Sequence, residues 1–130
     1  MYTATTRAIA VTVKPQYLPD QSDPAKSKYV WAYQVRIENK GDATVQLRSR
    51  HWKITDGLGR QQEVKGPGVV GETPMLRPGE AFEYTSGTPL STPSGFMGGT
   101  YQMVTEGGES FDIEIPTFSL DTPTAKRALN

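Results

Sequence analysis

Cysteine is absent from the 130 residues, and histidine occurs once, at His51. The first absence excludes disulfides, thiolate nucleophiles and every zinc site built on Cys ligands, so the fold has to stand on packing. The second leaves no pair of imidazoles in one chain to hold a metal and no H-E-x-x-H helix. A two-imidazole site would need a copy of His51 across a symmetric dimer. Ser86, in Tyr84-Thr85-Ser86-Gly87, lacks the G-x-S-x-G elbow, and a triad would have only His51 to serve as base. Net charge is missing too: 14 basic residues balance 14 acidic ones, with a pI near 6.6. Such a chain has no overall field to steer it onto phosphate backbones or anionic lipid, so neither general nucleic-acid binding nor membrane association is expected. No apolar run approaches the ~20 residues that cross a bilayer, and Met1 to Arg7 has neither the n-region nor the apolar stretch of a signal peptide. The expected compartment is the cytoplasm.

What is present is punctuation. Thirteen glycines and ten prolines separate short runs that alternate apolar and polar at period two, the signature of strands, and no helical stripe of ten or more residues is found. At 14.3 kDa the chain fits one domain over residues 1–130, long enough to bury roughly two thirds of its unfolded surface. The first run places Ile9, Val11 and Val13 on one face and ends at Pro15. A polar loop follows, from Pro15 to Lys28. The second run has Tyr29, Trp31, Tyr33, Val35 and Ile37 on one face, which predicts a central strand. Asn39-Lys40-Gly41-Asp42 then offers turn chemistry tolerant of positive φ.

The third run carries Val45 and Leu47, then Trp52 and Ile54, and these pairs have opposite parity. One extra residue between Ser49 and His51 would return both pairs to the core side, so a β-bulge is predicted there. Asp56-Gly57 turns the chain into Gln61 to Lys65. Arg77-Pro78-Gly79-Glu80 reads as a type II turn into a strand with Phe82 and Tyr84; in both turns Gly is expected at positive φ. Thr100 to Thr105 and Ser110 to Ile115 form a hairpin that turns Phe111, Ile113 and Ile115 inward. About seven strands in this pattern predict an all-β, two-sheet antiparallel β-sandwich of the fibronectin type III or immunoglobulin kind. Trp31, Trp52, Tyr33 and Phe82 are expected in its core. Gly66 to Gly79 is read as a long loop, and residues 116–130 as a surface tail.

Gly66-Pro67-Gly68-Val69-Val70-Gly71 matches the G-x-G-x-x-G pattern of dinucleotide sites. That fingerprint needs a helix whose N-terminus receives the pyrophosphate. Here Pro74 and Pro78 follow, which leaves a structural loop or a nest of amides around Gly66, Gly68 and Gly71 holding an anion. A second candidate is basic: Arg36, Arg48 and Arg50 share the parity opposite to neighbouring core residues and would form a cationic stripe on one sheet face, with His51 and Lys53 close by. Asp112 and Glu114 fall on one face but show no cleft that would tune an acid/base pair. Asp20 and Asp23 offer oxygen ligands to a hard cation, or simply loop solubility.

The segments Tyr29-Val30-Trp31-Ala32-Tyr33, Val45-Gln46-Leu47, Arg50-His51-Trp52, Ile54-Thr55-Asp56 and Gly66 to Gly71 occur in order. Pro78-Gly79-Glu80, Phe82-Glu83-Tyr84-Thr85-Ser86-Gly87, Gly99-Thr100-Tyr101 and Ile115-Pro116-Thr117-Phe118 continue the series. Over nearly its whole length the chain resembles the ApaG family, also called CorD. The resemblance implies a fibronectin III-like sandwich and a genetic association with cobalt resistance and magnesium efflux. It also implies gene proximity to a diadenosine tetraphosphate hydrolase, and relatives fused to F-box and polymerase-interacting proteins, which point to protein recognition. Thr88 stands where some relatives carry Cys, so no thiol role transfers.

Taken together, these features lead to the expectation of a non-enzymatic binding module with a protein partner and no cofactor. The alternative is a sensor of a phosphate-bearing nucleotide or divalent cation through the glycine loop. A monomer and a symmetric dimer through an edge strand are both open.

Overall fold

The computed structural model describes residues 1–123, which form nine strands: β1 (Tyr2–Thr6), β2 (Ile9–Tyr17), β3 (Tyr29–Asn39), β4 (Val45–Asp56), β5 (Gln61–Pro67), β6 (Met75–Leu76), β7 (Ala81–Leu90), β8 (Ser94–Thr105) and β9 (Ser110–Asp121). Two antiparallel sheets pack face to face: β1-β2-β3-β7, and β5-β4-β8-β9 with β6 added to β4. The period-two pattern explains the assignment. Ile9, Val11 and Val13 on β2, and Trp31, Tyr33, Val35 and Ile37 on β3, are all buried, and β3 lies inside its sheet as its apolar face requires. Trp52 is the hub between the sheets, with ring centroids 5.2 Å from Tyr33, 6.3 Å from Tyr101 and 6.1 Å from Phe118. Phe82 is only half-buried, against that core.

Several expectations need correcting. β1 lies in a stretch that reads as having no strand, because its hairpin turns through Arg7 and Ala8 at φ 49 and 65, positions usually filled by Asn or Gly. β2 does not stop at Pro15 but runs to Tyr17; β1 begins opposite Val13, so Pro15 sits where one side of β2 is already an edge. The loop beyond it is organised by two 3-10 turns and by Ser22, whose hydroxyl donates to Leu18 O and accepts from Val30 N. Asn39 to Asp42 contains no positive φ, and the connection crosses from one sheet to the other. In the β4–β5 turn the positive φ falls on Gly59 and not Gly57, whereas Gly79 does take φ +85. Within 66–79, β6 pairs with Val45 and Gln46. Residues 116–121 are no surface tail: β9 passes through buried Pro116, with Phe118 and Leu120 in the core. Thr122 is buried as well, and residues 124–130 of that tail lie outside the described residues.

Asn39 is a buried polar residue that ties the sheets together. Its Nδ2 donates to Ala43 O (2.8 Å) and Leu76 O (3.0 Å), and its Oδ1 accepts from Gly41 N (3.0 Å). Its backbone accepts from Gly79 N and donates to Glu80 O. Replacing Asn39 by Ala strands the buried Leu76 carbonyl, at about 1–3 kcal/mol when unsatisfied, and removes the partner of Ala43 O and Gly41 N nearer the surface. Asn39→Ala is therefore expected to lower stability by about 2–4 kcal/mol in urea titrations; a loss under about 0.5 kcal/mol would show that the tie carries no weight.

Candidate functional site

The bulge in β4 is real but sits earlier than the parity argument put it. Leu47 pairs with Met103 and Ser49 with Gln102, which leaves Arg48 as the extra residue. Arg48 is exposed, and its carbonyl accepts from Gly68 N at 2.9 Å. After the bulge, Arg50, Trp52 and Ile54 share the inward face, so Arg50 is a core-side residue and not part of an outer stripe. Nor can Arg36 join it. Arg36 belongs to β3 in the other sheet, where its nearest carboxylates are Glu38 and Glu83 at 3.9 and 3.7 Å.

The glycine motif wraps Arg50. Its Nη1 donates to Pro67 O and Gly68 O, both at 2.9 Å, and the guanidinium packs over Gly66, where a Cβ would lie 3.0 Å from Nη2. No helix follows. Val69 and Glu72 exchange both backbone hydrogen bonds at 2.8 Å, around Val70 and Gly71 at φ 45 and 81, which makes a two-residue primed turn. The amides of Gly68, Val69 and Glu72 are thus used within the chain, and two loop carbonyls face a cation.

Beneath Arg50 lie three phenols. Tyr84 on β7 and Tyr101 on β8 share a hydroxyl–hydroxyl hydrogen bond that crosses between the sheets, and Tyr33 lies nearby on β3. Burial raises all three above the ordinary tyrosine range while the Arg50 charge pulls each the other way, so they remain protonated hydroxyls.

This cluster floors an opening along one side of the sandwich. On the opposite side the sheets are latched: Glu114 N donates to Thr6 Oγ1, and Arg7 pairs with Glu109 and covers the Phe111 ring. Between β5 and β7 the inward row of β5 is uncovered, with Gln62 exposed and Val64 and Gly66 only half-buried. A cleft of about 220 Å³ lies there, lined by Tyr33, Arg50, Gln62, Val64, Ser86 and Thr88. Through Ile54, Gln62 and Pro89 it continues into a recess of about 420 Å³ bounded by Lys28, Asp56, Arg60 and Ser91. Asp56 fixes the wall of that recess. It accepts from Leu58 N and Arg60 N at 2.9 Å and from Arg60 Nε at 2.7 Å, and Arg60 reaches Ser91.

The other candidates lie apart. His51 faces outward and meets Glu63 Oε1 at 2.7 Å, a hydrogen bond that holds the Glu63 carboxyl below its usual range. Asp112 and Glu114 are exposed on the same outer face. Asp20 lies in a 3-10 turn and Asp23 pairs its backbone with Lys28. Among the described residues no three His, Asp or Glu side chains gather. No helix among them is long and apolar enough to cross a membrane. Gln62, Val64, Tyr84 and Tyr101 carried no functional signal in the sequence, since only the strand register brings them to Arg50.

Comparison with known proteins gives one answer. The sequence model of the ApaG domain matches residues 19–105. A protein named ApaG from Paramagnetospirillum magneticum is 68% identical over 130 residues, and one from Rhodospirillum centenum 65% identical, each across all of both chains. The crystal structure of a Bordetella pertussis protein described as ApaA superimposes with a TM-score of 0.86 at 56% identity, covering 88% of this chain and 94% of that one.

Two sets of measurements test the loop and the recess. At Gly68, φ +60 combines with a Cβ position 2.3 Å from Glu72 O, so Gly68→Ala is expected to cost about 2–3 kcal/mol or more. Val70, a β-branched residue at φ 45, is strained by about 1 kcal/mol. Val70→Asn, which creates an Asn-Gly turn, is expected to stabilise by about that amount; equal Tm values for Val70→Asn and wild type would remove the strain argument.

At Asp56, desolvation opposes ionisation, but hydrogen bonds from Arg60 and Leu58 and the Arg60 charge outweigh it and lower the pKa. The stabilisation is therefore complete above the unfolded carboxylate value, near ~4, and lost as pH falls through the lower folded value. Urea midpoints between about pH 6 and 2 should decline more steeply for wild type than for Asp56→Asn, and parallel curves would refute the assignment.

Proposed function

The chain belongs to the ApaG domain family, and on that premise we propose that it is a non-enzymatic binding module whose partner is a protein, engaged along the open β5–β7 side of the sandwich. The observation that carries this reading is the uncovered inward row of β5: residues with core parity are left accessible beside a half-buried cation. A rigid scaffold presenting one open edge is the architecture of a recognition domain. The shifted carboxyls support the same reading, because Asp56 and Glu63 owe their low values to structural partners and not to an arrangement around a reacting atom.

On this reading the module acts in the cytoplasm, and the family's association with cobalt resistance and magnesium efflux is exerted through the partner. The alternative, a nucleotide or divalent-cation sensor at Gly66, Gly68 and Gly71, is less well supported, because that loop commits three amides internally and directs two carbonyls at Arg50.

A photo-crosslinking residue placed at Gln62 in the native host is expected to give a discrete, saturable protein adduct that excess unmodified protein competes away. The same residue at Lys14, on the outer face of the other sheet, should give none. Absence of any competed adduct at Gln62 would end the binding-module reading at this edge.

A further inference from the structure

The four-stranded sheet stops one strand short. It ends at β7, while the five-stranded sheet continues to β5. Tyr84 of β7 reaches Tyr101 of β8, so the position beyond β7 lies over β4 and β5, where Arg50, Gln62 and Val64 are open. Among the described residues β7 pairs only with β3, so its outer edge has no strand partner from Tyr84 to Thr88, and Glu83 and Pro89 guard only the ends. By contrast, β5 carries Glu63, Lys65 and Pro67 along its length. Charges and prolines are the usual protection of an edge against strand addition, so the unguarded stretch of β7 coincides with the uncovered floor.

The floor has a charge preference. The ion pairs among the described residues use Arg7, Arg36 and Arg60, the contact of Glu63 is with His51, and none uses Arg50. Nη1 of Arg50 is committed to the two loop carbonyls, while Nε and Nη2 have no hydrogen-bond partner among the described residues. A guanidinium held in place by its own loop, half-buried and with free donors, fits a carboxylate. The protonated phenols around it add no competing negative charge.

Resting on the protein-binding reading above, we infer that the occupant of the cleft is an extended segment of a partner protein that adds to β7 as a fifth strand of its sheet and presents an acidic side chain to Arg50. An added strand lies about 4.8 Å from β7, and its alternate side chains point inward. Those side chains would cover Val64 and Gln62, and the acidic one would meet the guanidinium. Main-chain pairing with Tyr84 to Thr88 supplies affinity and the carboxylate supplies selection.

The test uses isotopically labelled full-length protein and three blocked nine-residue peptides of alternating threonine and valine, with glutamate, glutamine or lysine at the centre. In amide NMR titrations, the glutamate peptide is expected to shift the Tyr84 to Thr88 amides and the Arg50 Nε signal. It should bind at least tenfold more tightly than the lysine peptide. Arg50→Met should abolish that preference and Arg50→Lys restore most of it. Because Arg50 also holds its loop, the near-isosteric Gln62→Glu, at an exposed position, gives an independent check: it should weaken the glutamate peptide and favour the lysine one.

Equal binding of all three peptides, or shifts away from β7, would overturn the inference. So would β7 shifts that depend on protein concentration without peptide, which would identify a second copy as the occupant. An adduct at Gln62 together with peptides that fail would overturn the acidic-strand inference alone and leave the module reading standing.

Discussion

Arg48 has no opposite number on β8, and that unmatched residue decides which side chains of β4 face the core. Without it, Val45 and Leu47 could not share a face with Trp52 and Ile54, and the hub between the sheets would turn to solvent. The bulge also leaves the Arg48 carbonyl for Gly68 N, which fixes the start of the glycine turn. That turn in turn places the Pro67 and Gly68 carbonyls on Arg50. Core parity, the shape of the loop and the position of the cation in the cleft are therefore consequences of one inserted residue.

Much of the fold was legible because alternation is a strong signal when one face is fully buried. The central β3 and the inward set of Ile113 and Ile115 follow from it, while the Gly79 turn follows from its Pro-Gly pair. The failures have local causes. β1 was hidden by a turn made of Arg7 and Ala8, which hold positive φ without the residues that normally advertise it. Pro116 reads as the end of β9, yet Pro is tolerated where the ladder is irregular, and the β8–β9 register shifts between Met97 and Gly99. Parity shows that β4 holds an extra residue without showing which one, and so it puts the bulge beyond Ser49 when the extra residue is Arg48.

For the site, the sequence singled out Gly66, Gly68, Gly71 and Arg50 but assigned them to separate features. Glycine spacing suggested amides receiving an anion; the folded chain instead turns carbonyls toward its own cation. Local sequence cannot report the direction of a peptide group, which depends on the bulge in a strand almost twenty residues away. Asn39 and the Tyr84–Tyr101 pair were unreadable for a similar reason. Their partners lie on the opposite sheet, and nothing in their neighbours marks them as inter-sheet ties.

Those two ties have a mechanical consequence. The sandwich is bound like a book along the β1–β9 spine, and near its open side the gap is set by Tyr84 with Tyr101 and by Asn39 with Leu76. Packed hydrocarbon resists separation gradually, whereas a hydrogen bond tolerates a few tenths of an ångström and then fails. The fore-edge therefore behaves as a slot of set gauge: segments thin enough to enter meet a rigid jaw, and thicker ones must break a polar contact to pass.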